Sequence, residues 1–239
     1  MPPMNPPNKH ISVDVVILGF HNERLSVLLF DRELLHKKGE LLVTGYSLPG
    51  NHVYEDEDLE HAANRILEFQ SGLSNIKLRQ FRTFGDPARL NKIEDFPHRV
   101  ITVAYYALLN PRQVIETPLS EGMDWHEIDK LRENEIALDH FHIITSARET
   151  LRESVYLHPS IVFALLPEKF SIGQLQSVYE ILMGREFDRR NFRKKISRMK
   201  YLIELDEKQT GVNHKPARLF MFSRDVYNVT KNELIAFNI

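Results

Sequence analysis

The chain has 239 residues and 42% hydrophobic residues, enough for one large or two modest domains, and its net charge of -2 averages over +7 between Arg185 and Arg224 and -8 in residues 1–184. With no cysteine, disulfide frameworks, thiolate zinc sites, iron–sulfur clusters and cysteine nucleophiles are excluded, which leaves oxygen and imidazole chemistry. No stretch approaches the roughly 20 apolar residues of a membrane span, and the Met-Pro-Pro-Met-Asn-Pro-Pro start has neither the basic nor the apolar region of a secretory signal, so a cytoplasmic protein without a membrane partner is expected.

Four prolines in residues 1–10 predict a flexible extended arm outside the fold. Ile11–Phe20 and Leu25–Phe30 are rich in large apolar and β-branched residues and flank a polar His-Asn-Glu-Arg turn, the pattern of a β-hairpin. Further strands are expected at Ile76–Thr83, Arg99–Leu109 and Met123–His126. Between them, Leu59, Ala62, Ala63, Ile66, Leu67 and Gln70 recur at helical spacing over Glu57–Ser71, and Gly72 supplies a stop. A mixed α/β domain over residues 11–155 follows. An amphipathic helix over Ala137–Leu151, with Leu138, Phe141, Ile144, Ala147 and Leu151 as its apolar stripe, closes it or leads out of it.

Residues 156–239 read as a second domain. Ser171 caps a helix over Ser171–Met183, which Gly184 ends. Asp188 caps another, expected over Asp188–Tyr201, on which Phe192, Ile196 and Met199 form the apolar stripe and basic residues cover the rest. Leu202–Phe222, turning between Gln209 and Lys215, predicts a hairpin. Helix, turn, basic helix and hairpin together describe a winged helix-turn-helix. Its second helix suits a major groove of double-stranded DNA: Arg189, Arg190, Asn191, Arg193, Lys194 and Arg198 would face bases and phosphates, with Lys215 and Arg218 reaching from the hairpin. A solvated basic face is the bland alternative.

Eleven histidines invite a metal, but there is no His-Glu-x-x-His, and His140 and His142, two apart, point in different directions on a helix. Dinucleotide-binding, phosphate-loop and serine-hydrolase signatures are absent too.

Leu48-Pro49-Gly50-Asn51-His52-Val53, followed by Glu57, Arg65, Leu67, Gly72 and Leu73, resembles the Nudix box. Aligning Gly72 puts Asn51 at the pattern's first glycine, and Ile66, Phe69 and Gln70 where that family has catalytic glutamates. Spaced i, i+3 and i+4, these positions share a helical face on which three carboxylates could hold a divalent cation beside a diphosphate. Isoleucine and phenylalanine offer no ligand and glutamine only a neutral one. Loss of pyrophosphohydrolase activity is therefore expected, with no catalytic residue, metal or cofactor. Glu55, Asp56, Asp58, Glu60 and Glu68 sit off that face.

Thr83-Phe84-Gly85-Asp86-Pro87, Arg99–Leu108, Asn191-Phe192-Arg193-Lys194 and Lys215-Pro216-Ala217-Arg218-Leu219 extend the resemblance to the Nudix-related transcriptional regulators, over about residues 11–223. The resemblance implies a Nudix-like α/β/α sandwich with a mixed sheet followed by a winged helix. It also implies a regulator of sugar or NAD metabolism, whose Nudix-like domain senses a sugar or an ADP-ribose-type effector. Arg32, Asp86, Arg89 and Arg99 are the expected effector contacts, since Arg can grip phosphate and Asp can accept from vicinal hydroxyls. A homodimer on a palindromic operator is expected. The alternatives are an active Nudix hydrolase of a nucleoside diphosphate derivative and a structural scaffold.

Overall fold

The computed structural model describes residues 6–35, 41–90, 99–116, 118–211 and 215–230, with backbone only at 32–35 and 41–44. It separates into two compact units, Met1–Leu109 with Gln113–Ala147, and Asn110–Arg112 with Arg148–Ile239.

In the first unit β1 (Pro7–His21) and β2 (Arg24–Leu35) form the expected hairpin, turned at Asn22 and Glu23. The strand starts before the expected limit. Pro7 pairs with Tyr54, so Pro7–His10 belong to the sheet, a position proline tolerates at the start of a strand; residues 1–5 of the expected arm lie outside the described residues. The unit continues with β3 (Leu41–Ser47), β4 (Gly50–Tyr54), α1 (Leu59–Ser71), β5 (Leu78–Phe84) and β6 (Ile101–Leu109); α2 (Pro111–Glu116) has residues in both units, and β7 (Met123–Glu127) follows in the first. The seven strands form one mixed sheet of order β3-β2-β1-β6-β5, with β4 on β1 and β7 on β2. Only β1 and β6 run parallel among the described pairs.

Along β1, one edge pairs continuously with β6 from Ile11 to Gly19. The other edge takes β4 at Ser12–Asp14 and β2 at Leu18–His21. Val13, Val15, Val16, Ile17 and Leu18 are all fully buried, so both sheet faces are covered, which explains the continuous apolar run from Val15 to Leu18. On one face α1 packs Ala62, Ala63, Ile66 and Leu67 against Val13, Val15, Ile17 and Tyr105. Asp58 caps α1 by accepting from the His61 N–H, and Gly72, at φ 75°, closes it in the left-handed conformation that glycine adopts without strain.

The helix α3 (His140–Leu157) has residues in both units, and the division falls between Ala147 and Arg148. Its buried stripe comprises Ile143, Ile144, Ala147, Leu151 and Val155. Leu138 precedes the helix at φ 59° and Phe141 is half-buried, so the apolar spacing marked the helix but placed the stripe's first members wrongly.

In the second unit a 3₁₀ segment Pro159–Leu165 precedes β8 (Lys169–Ser171), α4 (Ile172–Met183), α5 (Arg189–Ile196), β9 (Leu202–Lys208), β10 (Arg218–Phe222) and α6 (Arg224–Thr230). The strands pair antiparallel in the order β8-β10-β9. Ser171 and Gln174 form a reciprocal capping box on α4, and Gly184 ends it at φ 66°. The core is aromatic: Phe170, Tyr179, Phe192 and Tyr201 are buried, and Phe163 stacks on Phe222 at 4.3 Å. Helix α5 is shorter than expected. It stops at Ile196, where Ser197 Oγ donates to the Lys194 carbonyl, and the chain turns so that Met199 and Tyr201 enter the core.

Candidate functional site

The Nudix-like segment wraps the start of α1. Arg65 donates from Nε to Glu57 Oε2 (2.8 Å) and from Nη2 to the His52 carbonyl (3.1 Å), and its guanidinium lies 4.2 Å from the centre of the Tyr54 ring. Glu57 also accepts from the Tyr54 N–H at 2.8 Å. Burial opposes the charge on Glu57, yet the Arg65 guanidinium and the Tyr54 N–H together hold its carboxyl below the ordinary value. The same bond raises the Arg65 value. These two residues are a clamp that fixes β4 to the helix.

The positions expected to form one metal face do not converge. Ile66 is 1% exposed within the core, Phe69 is 85% exposed, and Gln70 turns toward β4. The apolar demand of the sheet draws position 66 inward, whereas position 69, 300° further round the helix, faces solvent. Gln70 Oε1 accepts from the Gly50 N–H (3.0 Å) and its Nε2 donates to the Gly50 carbonyl (3.1 Å). A divalent cation of the Nudix type therefore does not fit: two of the positions carry no ligand atom and the third has both ends of its amide engaged. Among the described residues no group of three or more His, Asp or Glu side chains could hold a metal ion.

Beside Gly50 lies a cavity of about 190 Å³ whose lining includes Ser12, Asp14, Gly50, Asn51, Arg89 and His140. Asp14 interrupts the apolar run of β1 and is 5% exposed. Ser12 Oγ donates to Thr102 Oγ1 (2.7 Å), and Thr102 donates in turn to Asp14 Oδ2 (2.6 Å). The Leu48 N–H donates to His140 Nδ1 at 3.0 Å. A backbone N–H cannot accept, so Nδ1 carries the lone pair and Nε2 carries the hydrogen, 3.5 Å from Asp14 Oδ1. Arg89 Nη2 lies 3.8 Å from Asp14 Oδ2.

Against a neighbouring depression of about 410 Å³ lie Arg82, Thr83, Phe84, Asp86, Arg89, Asp139 and His142. His142 meets Phe84 edge-on at 5.4 Å, and the Arg82 guanidinium is 5.4 Å from the Phe84 ring centre. Three of the four expected effector contacts meet at this loop. Asp86 is exposed and accepts from the Ala88 N–H at 2.7 Å; Arg99 is exposed and donates to the Gly85 carbonyl at 2.9 Å. Arg89 differs from a ligand-gripping arginine. Its side chain is 6% exposed and its donors go to Asp139, to the Val100 carbonyl and toward Asp14, so it ties the loop to the start of α3. Arg32 pairs with Gly45 through its backbone, and its side chain lies outside the described residues.

Sequence reasoning missed Asp14, Thr102 and the engaged amide of Gln70, and treated His140 as an ordinary histidine. A lone carboxylate between valines in a strand was the available signal for Asp14. His140 and His142 do diverge as expected: the first is 1% exposed, the second exposed.

In the second unit Arg189, Arg190, Asn191, Arg193 and Lys194 are exposed on α5, while Phe192 and Ile196 hold the opposite face in the core. Asp188 Oδ1 caps the helix through the Asn191 N–H at 2.9 Å. Arg198 is exposed in the turn after the helix rather than on it, because α5 ends early. Lys215 and Arg218 are exposed near the hairpin's turn; Val212–His214 lie outside the described residues. Arg218 is ion-paired with Glu204, and Glu207 with Lys169 at 2.7 Å, so acidic β9 offsets the basic groups beside it. Among the described residues of this unit, exposed cations are densest on α5, which carries Arg189, Arg190, Arg193 and Lys194.

Among the described residues no helix is long and apolar enough to cross a membrane. Residues 8–147 match the model of the NUDIX domain, and residues 162–222 match that of the NrtR DNA-binding winged helix domain. The ADPR responsive transcriptional repressor NtrR of Acinetobacter baylyi is 26% identical over 227 residues, covering 93% of this chain and 85% of the relative. The crystal structure of Shewanella oneidensis NrtR complexed with a 27mer DNA superposes with a TM-score of 0.70 at 27% identity, covering 91% of this chain and 95% of that one. A MutT/nudix family protein from Enterococcus faecalis shares the fold, with a TM-score of 0.65 at 21% identity over 93% of this chain and 89% of that one.

Proposed function

Since the chain belongs to the Nudix family and carries an NrtR-type winged helix behind its Nudix domain, we propose that it is a cytoplasmic transcriptional repressor whose DNA affinity is set by ADP-ribose. The relative from Acinetobacter baylyi, matched over 93% of this chain, supports that effector. The observation that carries the DNA-binding half is α5, whose exposed Arg189, Arg190, Arg193 and Lys194 stand on a rigid helix anchored by Phe192 and Ile196. A protein reading DNA by this motif sets its helix in the major groove. Arginines reach guanine edges in pairs of hydrogen bonds, and the remaining cations neutralise phosphates.

In this reading residues 11–155 are the sensor and 156–239 the DNA reader. The effector lies against the loop of Asp86 and Arg99, with Arg32 a further contact. His142, exposed and edge-on to the buried Phe84, offers aromatic surface for a base, and Arg82, with Arg99 beside the Gly85 carbonyl, offers charge for a diphosphate. Arg89 holds that loop and does not touch the effector. The effector is bound and not cleaved, because Ile66, Phe69 and Gln70 supply no cation to polarise the diphosphate or activate water. One winged helix covers only a short half-site, so the protein acts as a homodimer on a palindrome. ADP-ribose changes operator affinity by binding one conformational state better than the other. Footprinting the full chain on DNA upstream of its own gene tests this: two symmetric protected half-sites that ADP-ribose alters support it, and a single or effector-indifferent footprint overturns it.

A further inference from the structure

We propose that Gln70 is a built-in substitute for a divalent cation: a positioning residue that cross-links α1 to Gly50 and shapes the cavity wall beside the effector depression, so that effector binding is independent of metal. It rests on the sensor reading above and on the backbone geometry of one residue, Gly50. Gly50 is buried, and a side chain on it would meet the Asp14 carboxylate, since a Cβ there would lie 2.0 Å from Oδ1. Its Cα pairs with that of Asp14 between β4 and β1. The Gly50 backbone is thus wedged between Asp14 on one side and Gln70 on the other, and Gly50 and Asn51 line the cavity of about 190 Å³, which shares Arg89 with the effector depression. Whatever fixes Gly50 fixes the cavity wall.

A primary amide is complementary to the backbone of one extended residue, whose N–H and C=O point to the same side of the strand: one end accepts from the N–H and the other donates to the C=O. Gln70 makes both bonds, at 3.0 and 3.1 Å. A carboxylate at this position could accept from the Gly50 N–H but would set a negative oxygen against the Gly50 carbonyl. Only a cation placed between the two oxygens would restore that second link. Glutamine achieves the cross-link with neutral atoms. The neighbouring positions agree, because Ile66 is committed to the core and Phe69 to solvent, and neither brings an oxygen to a cation.

The test compares wild type, Gln70→Glu and Gln70→Ala as full chains, by thermal melting and by calorimetric titration with ADP-ribose, each in EDTA and in millimolar Mn²⁺. Wild type is expected to melt at the same temperature and bind ADP-ribose with the same affinity in both conditions. Gln70→Glu should melt lower in EDTA by on the order of 5 °C, lose roughly 5- to 30-fold in affinity, and recover part of both with Mn²⁺. Gln70→Ala should lose similarly and recover nothing. A wild-type protein that needs Mn²⁺ to bind ADP-ribose, or a Gln70→Glu variant that matches wild type in EDTA, overturns the proposal. If wild type binds no ADP-ribose in either condition, the effector reading fails, and the melting temperatures still decide the cross-link.

Discussion

Replacing Asp14 by alanine should be among the costlier single changes in the sensor unit. Its carboxylate is 5% exposed and accepts from Thr102 at 2.6 Å, with the His140 Nε2–H at 3.5 Å and Arg89 Nη2 at 3.8 Å. The charge-assisted bond from Thr102 contributes about 1.5–3 kcal/mol, and leaving its buried hydroxyl without an acceptor adds about 1–3 kcal/mol. The two longer contacts are counted as nothing, since neither is a hydrogen bond by distance. A loss of about 2.5–6 kcal/mol follows, which for a unit of this size lowers the melting temperature by roughly 7–18 °C. Urea unfolding of Asp14→Ala, Thr102→Val and the double variant forms a cycle that isolates the pair. Because each single variant breaks the same bond and Thr102→Val also removes the orphaned hydroxyl, the double variant should lose less than the two singles together, by about 2 kcal/mol or more. A single-variant loss below about 1 kcal/mol, or strict additivity, would refute the reasoning.

Arg190→Ala with Arg193→Ala should weaken operator binding by about 30-fold or more, at 1–3 kcal/mol for each arginine that pairs with a base, and should flatten the salt dependence if either meets phosphate; Lys77→Ala, an exposed cation of the other unit, should do neither in the same electrophoretic assay. The Tyr201 hydroxyl is buried without a partner, and burial pushes it well above the usual tyrosine range. Tyr201→Phe should therefore leave stability unchanged or raise it by about 1 kcal/mol, and a comparable loss in urea unfolding would show an unrecognised partner. Burial holds His126 below its ordinary value of 6.5, against the pull of Asp124, Asp31 and Glu135. The unfolded chain thus takes up the proton first, so stability is full above about pH 6.5 and falls as the pH drops through the folded value. His126→Phe, which keeps a ring against Tyr46, should flatten that decline in melting scans between pH 7 and 5.

What was legible in the sequence follows from which forces are local. Helix ends depend on neighbours in the chain, so Ser171, Asp188, Gly72 and Gly184 marked α1, α4 and the start of α5 correctly. The apolar runs of β1 and β6 were equally plain. Strands β3, β4 and β8 escaped notice: β4 and β8 are only five and three residues long, and β3 (Leu41–Ser47) is set by its pairing with β2, so distant strands rather than local alternation impose them. The end of α5 was missed for a related reason, since it is the aromatic core around Tyr201 that turns the chain. The basic helix was readable because charge and capping occupy one stretch. The sensor cavity was not, because Asp14 and Thr102 stand 88 positions apart and Gln70 and Gly50 stand 20 apart. The Nudix pattern identified Gln70 as a departure, and only its geometry shows where the amide goes.

The most direct test of the central claim is a fluorescence-anisotropy titration of the full chain on labelled DNA from upstream of its own gene, with and without saturating ADP-ribose, with the nucleotide recovered and analysed afterwards. Binding at physiological salt, a change in affinity of roughly 5- to 150-fold with ADP-ribose, and ADP-ribose recovered intact are the results expected. DNA affinity that ADP-ribose leaves unchanged, or ADP-ribose recovered as AMP and ribose phosphate, would contradict the account.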